Sequence, residues 1–211
     1  MPLLHDFRSA SVARGLLEGD TRIDAARAFA LVRDMPYERA SDARPETLIE
    51  EWRGTCSGKH LLLAQLLGEL GLDSMFMTAL HKFTPSNAAW LPPHLLAEVE
   101  AAPVPDVHNF LMVESPAGWF AVDATWPLGT RALGLPANEG WVPGRNMTVA
   151  ADIDEVYDLP DDADPLEFKQ RVLADHAGAL GTPERDRRER FIEALSTWLR
   201  TELQGPLASR G

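Results

Sequence analysis

The chain has very little cysteine. Cys56 is the single cysteine among 211 residues, so no internal disulfide can form and cysteine usage gives no sign of an oxidising compartment. The N-terminus, from Met1 to Asp6, has neither a basic leader nor an apolar run of the length that a secretory signal requires. We therefore expect a cytoplasmic protein, in which Cys56 is the residue to explain.

Long apolar runs are also missing. The most apolar stretches, 61–72 and 75–80, are interrupted or bounded by Gly68, Glu69 and Asp73. They fall well short of the roughly 20 apolar residues that a membrane-spanning helix needs. The sequence therefore predicts no membrane segment and no membrane partner.

Basic residues are in deficit. The 20 Lys and Arg residues face 32 Asp and Glu residues, which gives a net charge of −12. The densest basic run, 185–190, is interleaved with acids. Because a nucleic-acid interface needs a basic surface that neutralises phosphates, we expect no nucleic-acid partner. The chain is 45 % hydrophobic and holds six Trp and eight Phe residues, which is enough apolar surface for a real core.

The first part of the chain has the pattern of successive helices. Residues 21–34 are predicted to be a helix, in which Thr21 and Asp24 resemble a capping box. A short helical segment, 46–52, follows. From Cys56 a second helix carries a broad leucine stripe that ends at a glycine. Cys56 is therefore expected in the first turn of a helix.

The middle of the chain carries the strand signals. Residues 74–80 have the length and composition of a buried strand, and 107–114 with 119–125 surround a Pro/Gly turn and predict a β-hairpin. Residues 81–107 hold five prolines and are predicted to be an irregular excursion with one short helix, 93–101.

Two regions are expected along the chain. Residues 1–150 are predicted to form the catalytic core, and residues 151–211 an acidic linker followed by helices that pack on this core. Asp152 to Asp164 has the composition of a solvated linker. Helices are predicted over Pro165–Ala177 and from Pro183 onwards.

The position of Cys56 suits a nucleophile. A thiol attacks as the thiolate, which the partial positive charge of a helix N-terminus favours. Gly54 allows a tight turn into the helix, and the backbone N–H of Cys56 is a candidate donor to an oxyanion. A single cysteine is also an ordinary small core residue. A catalytic assignment therefore requires a base and a group that orients this base.

His108 and Asp123 supply that pair. His108 is the one histidine of six that begins a predicted strand whose hairpin partner ends in a carboxylate, Asp123. If Glu114 pairs with Trp119, His108 lies opposite Thr125 and Asp123 is its diagonal neighbour on the same face. A register slip of one residue would separate the two side chains. Asp123 also interrupts an apolar strand, so it needs either a buried partner or bonds to local backbone.

Three segments resemble the transglutaminase-like superfamily. They are the cysteine motif, 52–63, the histidine strand, 108–114, and the strand that runs from Gly-Trp to Asp-x-Thr, 118–125. The motifs follow the family's order, and the resemblance covers about residues 28–127. It implies an α+β fold with a papain-like core, in which the cysteine lies on a central helix packed on an antiparallel sheet and the C-terminal helices are additions.

The resemblance also implies a mechanism. Cys56 would attack an amide carbonyl, His108 would accept the thiol proton and return it to the leaving amine, and Asp123 would fix the imidazole tautomer. The expected function is hydrolysis or acyl transfer at an amide bond of a peptide or a small amide, with no cofactor and no metal. The alternative is a catalytically silent binding module, whose cleft is sealed by the excursion at 81–107.

Two residues depart from the family's usual pattern after the cysteine. Lys59 and His60 stand where small and aromatic residues are more usual, which leaves the acyl-acceptor side of the site open. His60 is one helical turn from Cys56, and we expect it to be partly exposed or packed beside Trp52 rather than to bind a metal. No patterned acidic calcium loop is visible, so a calcium-regulated cross-linker is disfavoured.

Overall fold

The computed structural model describes residues 2–160, 163–179 and 181–204. In these residues the chain is α+β, with a four-stranded antiparallel sheet and eight helices. The α-helices are α1 (Leu3–Ala13), α2 (Ala25–Asp34), α3 (Pro45–Glu51), α4 (Cys56–Glu69), α5 (Pro93–Ala101), α6 (Pro165–Ala177) and α7 (Pro183–Gln204). The strands are β1 (Ser74–Phe83), β2 (Val104–Ser115), β3 (Gly118–Val122) and β4 (Ile153–Asp158), and a 3-10 helix spans Leu128–Leu133.

The sheet has the strand order β3-β2-β1-β4. β1 and β2 pair along their whole common length, from Ser74 opposite Val113 to Phe83 opposite Val104. β3 is much shorter and pairs only with residues 111–115 of β2. The first half of β2 therefore extends past the end of β3.

The central helix is α4. Its leucines at 62, 63, 66 and 67 are fully buried, and they form one core with residues from α1, α2 and α3 and with Phe76, Leu111 and Phe120 of the sheet. These leucines form one broad apolar face, and residues 56–60 of the helix are buried as well, so α4 lies inside the protein rather than on its surface. The sheet and three helices thus hold the N-terminus of α4, which carries Cys56, in a fixed position.

Two glycines allow α3 to approach this N-terminus closely. A Cβ atom at Gly54 would lie 2.7 Å from Leu48 Cδ2, and one at Gly58 would lie 2.9 Å from the same atom. Leu48 is 1 % exposed, so it has no open space into which it can retreat. The sequence around Cys56 therefore needs glycine at both positions for packing.

The N-terminal part differs from the sequence prediction in two ways. The helix predicted over 21–34 begins at Ala25, because the carboxylate of Asp24 accepts a hydrogen bond from the N–H of Arg27 at 2.8 Å and caps it. Thr21 lies outside the helix, so the predicted capping box is wrong. An additional helix, α1, precedes α2 and was not predicted.

The excursion at 81–107 is more regular than predicted. β1 continues to Phe83, α5 has the predicted bounds and β2 begins at Val104. The segment between the strands packs against α7, in a second core that includes Leu91, Leu95, Phe191, Leu195 and Trp126. The prolines therefore lie in a folded connection that is held by the C-terminal helix.

The acidic segment 152–164 was predicted to be a linker, but it contains β4. This strand pairs with β1 from Met77 opposite Asp158 to His81 opposite Ile153, and most of its side chains are exposed. An acidic composition is compatible with this position, because charged side chains on an edge strand face water. Residues 161–162 of the predicted linker lie outside the described residues.

The two C-terminal helices begin where predicted, at Pro165 and Pro183. Val172 and Leu173 of α6 pack on Leu80 and Val107 of the sheet. None of the helices in the described part of the chain combines the length and the apolar character needed to cross a bilayer.

Candidate active site

Cys56 is the first residue of α4, and its side chain is buried, with 3 % of the residue exposed. The N-cap residue, Thr55, has an extended backbone, and its side chain makes no hydrogen bond to the described N–H groups of the helix. The N–H groups of a first helical turn have no acceptor within the helix. The thiol therefore lies beside unpaired backbone donors and the positive end of the helix dipole.

His108 and Asp123 are joined by a hydrogen bond of 2.7 Å between Nε2 and Oδ2. The register is the predicted one, with Glu114 opposite Trp119. The ladder ends at Leu111 opposite Val122, so Asp123 follows the strand rather than lying within it. The pair forms because the chain continues past the end of β3 alongside the free half of β2.

Asp123 also binds local backbone. Its Oδ1 accepts from the N–H of Thr125 at 2.9 Å, and its Oδ2 accepts from the N–H of Ala150 at 2.8 Å. The side-chain amide of Asn138 donates to the carbonyl of Asp123 at 2.9 Å. The buried carboxylate therefore has both kinds of partner that the sequence left open, a histidine and neighbouring N–H groups.

The thiol and the imidazole form an electrostatic couple. Burial by itself raises the pKa of Cys56, but the charge of Lys169 and a hydrogen bond and charge from His108 outweigh it and bring the pKa to about 6. Burial lowers the pKa of His108, but the charge and hydrogen bond of Asp123, together with Cys56, raise it to about 10. Near neutral pH the couple is therefore a thiolate and an imidazolium.

The carboxylate of the triad stays ionised. Burial disfavours its charged form, but the charge and hydrogen bond of His108 and the N–H of Ala150 hold the pKa of Asp123 well below its usual range. Asp123 binds Nε2 of His108, so Nδ1 is the ring nitrogen that is left for the thiol. This is the orientation in which the imidazole accepts the thiol proton at one nitrogen while the other donates to the carboxylate.

Lys169 of α6 is a site residue that the sequence analysis missed. Its Nζ lies 3.5 Å from Cys56 Sγ and donates to Ser57 Oγ at 2.9 Å. Ser57 Oγ in turn donates to Asn109 Oδ1 at 2.8 Å. The ammonium is thus held over the thiol by a buried chain of hydrogen bonds that ends on β2. Lys169 itself is 8 % exposed.

A signal for Lys169 was present in the sequence. It precedes Val172 by three residues and Leu173 by four, so it lies on the face by which α6 packs on the sheet. A charge on a buried helical face calls for a partner in the same way as the carboxylate of Asp123 does in an apolar strand. The partner, Cys56, lies too far away in the sequence to be identified from spacing.

His60 was expected to be partly exposed or packed beside Trp52, and the expected exposure is wrong. It is fully buried, its Nδ1 is 2.8 Å from the carbonyl of Cys56, and its Nε2 accepts from the N–H of Ala124 at 2.9 Å. Burial lowers its pKa to about 4, although the charge of Asp123 opposes this. The neutral ring therefore joins the first turn of α4 to the segment that carries Asp123.

Lys59 points away from the thiol into the core. Its Nζ donates to the carbonyls of Arg33 at 2.8 Å and Thr125 at 2.9 Å, and the residue is fully buried. Lys59 and His60 therefore tie α4 to the loops around the site.

The thiol borders a cavity of about 290 Å³. Lys169 and Gln170 of α6 and Arg185, Arg188 and Glu189 of α7 line much of its wall. Other residues of the excursion, among them His81 and Trp90, line a separate cavity of about 250 Å³, while Asp106 of the excursion lines the cavity of the thiol. The side chain that lies 3.5 Å from the sulfur is Lys169 of α6.

Within the described residues, no three His, Cys, Asp or Glu side chains are grouped so that they can hold a metal ion. Comparison of the chain with protein-family models, with curated proteins and with solved structures finds no match. The transglutaminase-like resemblance therefore stays a prediction from the three motifs.

Proposed function

We propose that the chain is a cysteine-dependent enzyme of the transglutaminase-like kind, with a papain-like core, that hydrolyses an amide bond or transfers its acyl group. The observation that carries the proposal is the arrangement of Cys56, His108 and Asp123. The thiol lies at a helix N-terminus and faces an imidazole whose far nitrogen is bound to a buried carboxylate. These are the nucleophile, the base and the orienting group that acyl transfer through a thiol requires.

The chemistry follows from the ionisation states. The thiolate of Cys56 attacks the amide carbonyl, a C–S bond forms and the carbonyl oxygen becomes an oxyanion. The N–H of Cys56 and the ammonium of Lys169, which lies 3.5 Å from the sulfur, are the proposed donors for this charge. The imidazolium of His108 then gives its proton to the leaving amine as the C–N bond breaks. Water or a second amine, deprotonated by His108, releases the acyl group from sulfur.

A catalytically silent binding module is the second candidate, and one observation favours it. Cys56 is 3 % exposed and Lys169 lies over its sulfur, so a substrate carbonyl reaches the thiolate only if this side chain moves. The two candidates therefore differ in whether the thiol reacts while the protein is folded.

The test uses p-nitrophenyl acetate as an activated acyl donor. The proposal predicts a burst of p-nitrophenolate that is stoichiometric with protein, and an acetyl group on Cys56 in the mass spectrum of the intact protein. Cys56→Ser should abolish the burst, and His108→Ala should slow it by roughly 100-fold or more, since a positioned base contributes about 10² to 10⁴. Adding methylamine distinguishes transfer from hydrolysis, because N-methylacetamide that forms faster than with Cys56→Ser shows that an amine reaches the acyl-enzyme.

An unmodified Cys56 in the folded protein, with acetylation only after denaturation, would contradict the enzymatic proposal. The same result would favour the binding module.

A further inference from the structure

The cavity beside Cys56 has an excess of positive charge. Four cationic side chains line it, and they face two carboxylates; they are Lys169, Arg39, Arg185 and Arg188 against Asp106 and Glu189. The excess is two charges, or one when Cys56 is a thiolate. The whole chain carries a net charge of −12, so the positive charge of this cavity is opposite in sign to that of the protein as a whole.

Two of the arginines are already paired. Arg188 binds Asp106 through Nε at 2.8 Å and Glu189 through Nη1 at 2.5 Å. Arg39 binds the other oxygen of Glu189 at 2.5 Å. The two carboxylates of the cavity are therefore occupied by these arginines.

Arg185 is left with weaker partners. Its Nη2 donates to the neutral amide oxygen of Gln170. Its buried Nε forms a salt bridge with Glu189 at 3.3 Å, a carboxylate that it shares with Arg39 and Arg188, but makes no hydrogen bond to any described residue. The residue is 6 % exposed and borders the cavity. A buried guanidinium with an unused donor is costly unless a ligand supplies an acceptor.

We infer that this cavity binds a carboxylate of the substrate, which is therefore an amide that carries a carboxylate close to the scissile bond. Arg185 is the main recognition residue, and Lys169 adds to the positive field between it and the thiol. A carboxylate matches a guanidinium because both are planar and the hydrogen bonds are charge-assisted. The inference rests on the proposed function for the reaction, but the binding of the carboxylate is separate from it.

Two alkylating reagents of nearly equal size test the inference. Iodoacetate carries a carboxylate and iodoacetamide is its neutral counterpart; with either, the thiolate forms a C–S bond and iodide leaves. The rate ratio of iodoacetate to iodoacetamide on Cys56 is compared with the ratio for N-acetylcysteine. Both reagents meet the same thiolate, so the ratio does not depend on the thiol pKa. We expect the protein's ratio to exceed that of N-acetylcysteine by about tenfold or more, since a charge-assisted hydrogen bond contributes about that factor.

The matched variants are Arg185→Gln and Arg190→Gln. Both lie on α7, but Arg190 is exposed and lies outside the cavity. Arg185→Gln should lower the ratio by about tenfold, and Arg190→Gln should leave it at the wild-type value. A ratio equal to that of N-acetylcysteine, while iodoacetamide reacts at the rate of a thiolate, would overturn the carboxylate site and leave the proposed function standing.

If neither reagent reacts with the folded protein, the proposed function fails and a binding measurement decides the inference. Titration calorimetry then compares N-acetylglycine with N-acetylglycinamide on the wild type and on Arg185→Gln. Binding of the acid but not the amide, lost in the variant, supports the carboxylate site. Equal binding of both, or no binding, overturns it.

Discussion

Lys169 Nζ lies 3.5 Å from Cys56 Sγ, although the two residues are 113 positions apart in the chain. The contact joins α6 to the N-terminus of α4, so the C-terminal region completes the surroundings of the thiol. The charge of Lys169 is also the largest of the influences that lower the pKa of Cys56. The electrostatic state of the nucleophile thus depends on a helix that lies outside the three motifs.

Removing the charge of Lys169 should raise the pKa of the thiol. In Lys169→Met the midpoint of the alkylation rate against pH should move up from about 6. A shift of about one unit or more is expected, since an adjacent opposite charge typically has an effect of that size. Lys169→Arg keeps the charge and serves as the control. An unchanged midpoint in the methionine variant would show that the ammonium does not stabilise the thiolate.

Replacing Asp123 by asparagine should lower the pKa of His108. The charge and hydrogen bond of Asp123 raise this pKa to about 10 against the effect of burial, so their loss favours the neutral ring. We expect a decrease of more than one unit, measured from the ¹⁵N chemical shifts of the ring nitrogens against pH. The burst with p-nitrophenyl acetate should slow by roughly 100-fold or more, because the tautomer is no longer fixed. A ring that still titrates near its wild-type value would contradict this role of Asp123.

Lys59 should make stability depend on pH. Burial lowers its pKa to about 7, although the charges of Asp34 and Asp123 oppose this, and the unfolded chain has the ordinary value near 10.5. Between these two values the unfolded chain binds more protons, so the free energy of unfolding rises with pH. Relative to Lys59→Met, the wild type should gain roughly 1 kcal/mol per pH unit between pH 7.5 and 9.5.

Urea unfolding at three pH values measures this difference. Lys82→Met is the control, because the Lys82 side chain is 54 % exposed. The difference between wild type and Lys82→Met should not change with pH over the same range. If the difference in free energy of unfolding between wild type and Lys59→Met also does not change with pH, the pKa of Lys59 is not lowered by burial.

Gly58 and Gly68 offer a matched pair on one helix. Both belong to α4, but a Cβ at Gly58 would lie 2.9 Å from Leu48 Cδ2, whereas one at Gly68 meets no atom within 4 Å. Gly58→Ala should lower the free energy of unfolding by about 1–3 kcal/mol through overpacking against α3. Gly68→Ala should raise it by up to about 1 kcal/mol, since alanine favours the helix. Equal changes in the free energy of unfolding for the two variants would contradict the close packing of α3 and α4.

Local patterns determined how much of the fold could be predicted. The sequence analysis assumed that Glu114 pairs with Trp119, and this register is observed, because the turn at Ser115–Gly118 is tight. The pairing of β4 with β1 was not predicted, because an exposed acidic edge strand has the same composition as a solvated linker. Helix α1 was not predicted for a different reason, since its buried residues Leu3 and Phe7 pack into a core that is formed by later parts of the chain.

The site was predictable to the same degree. His108 lies on β2 and Asp123 directly follows β3 of the same hairpin, so local spacing and the lone carboxylate after an apolar strand predicted the pair. Lys169, Arg185 and Arg188 reach the thiol's cavity through the packing of α6 and α7, which no local spacing encodes. The buried roles of Lys59 and His60 depend on carbonyls and N–H groups of other segments, so the residue types alone could not predict them.

The central claim is that Cys56 and His108 form a thiolate–imidazolium couple. The most direct test is the rate of Cys56 alkylation by iodoacetamide against pH, in the wild type and in His108→Ala. The wild-type rate should rise through a midpoint near pH 6, where the thiol ionises, and His108→Ala should move this midpoint up by about one unit or more. A wild-type midpoint at the ordinary thiol pKa of about 8.5, or the same midpoint in both proteins, would contradict the couple.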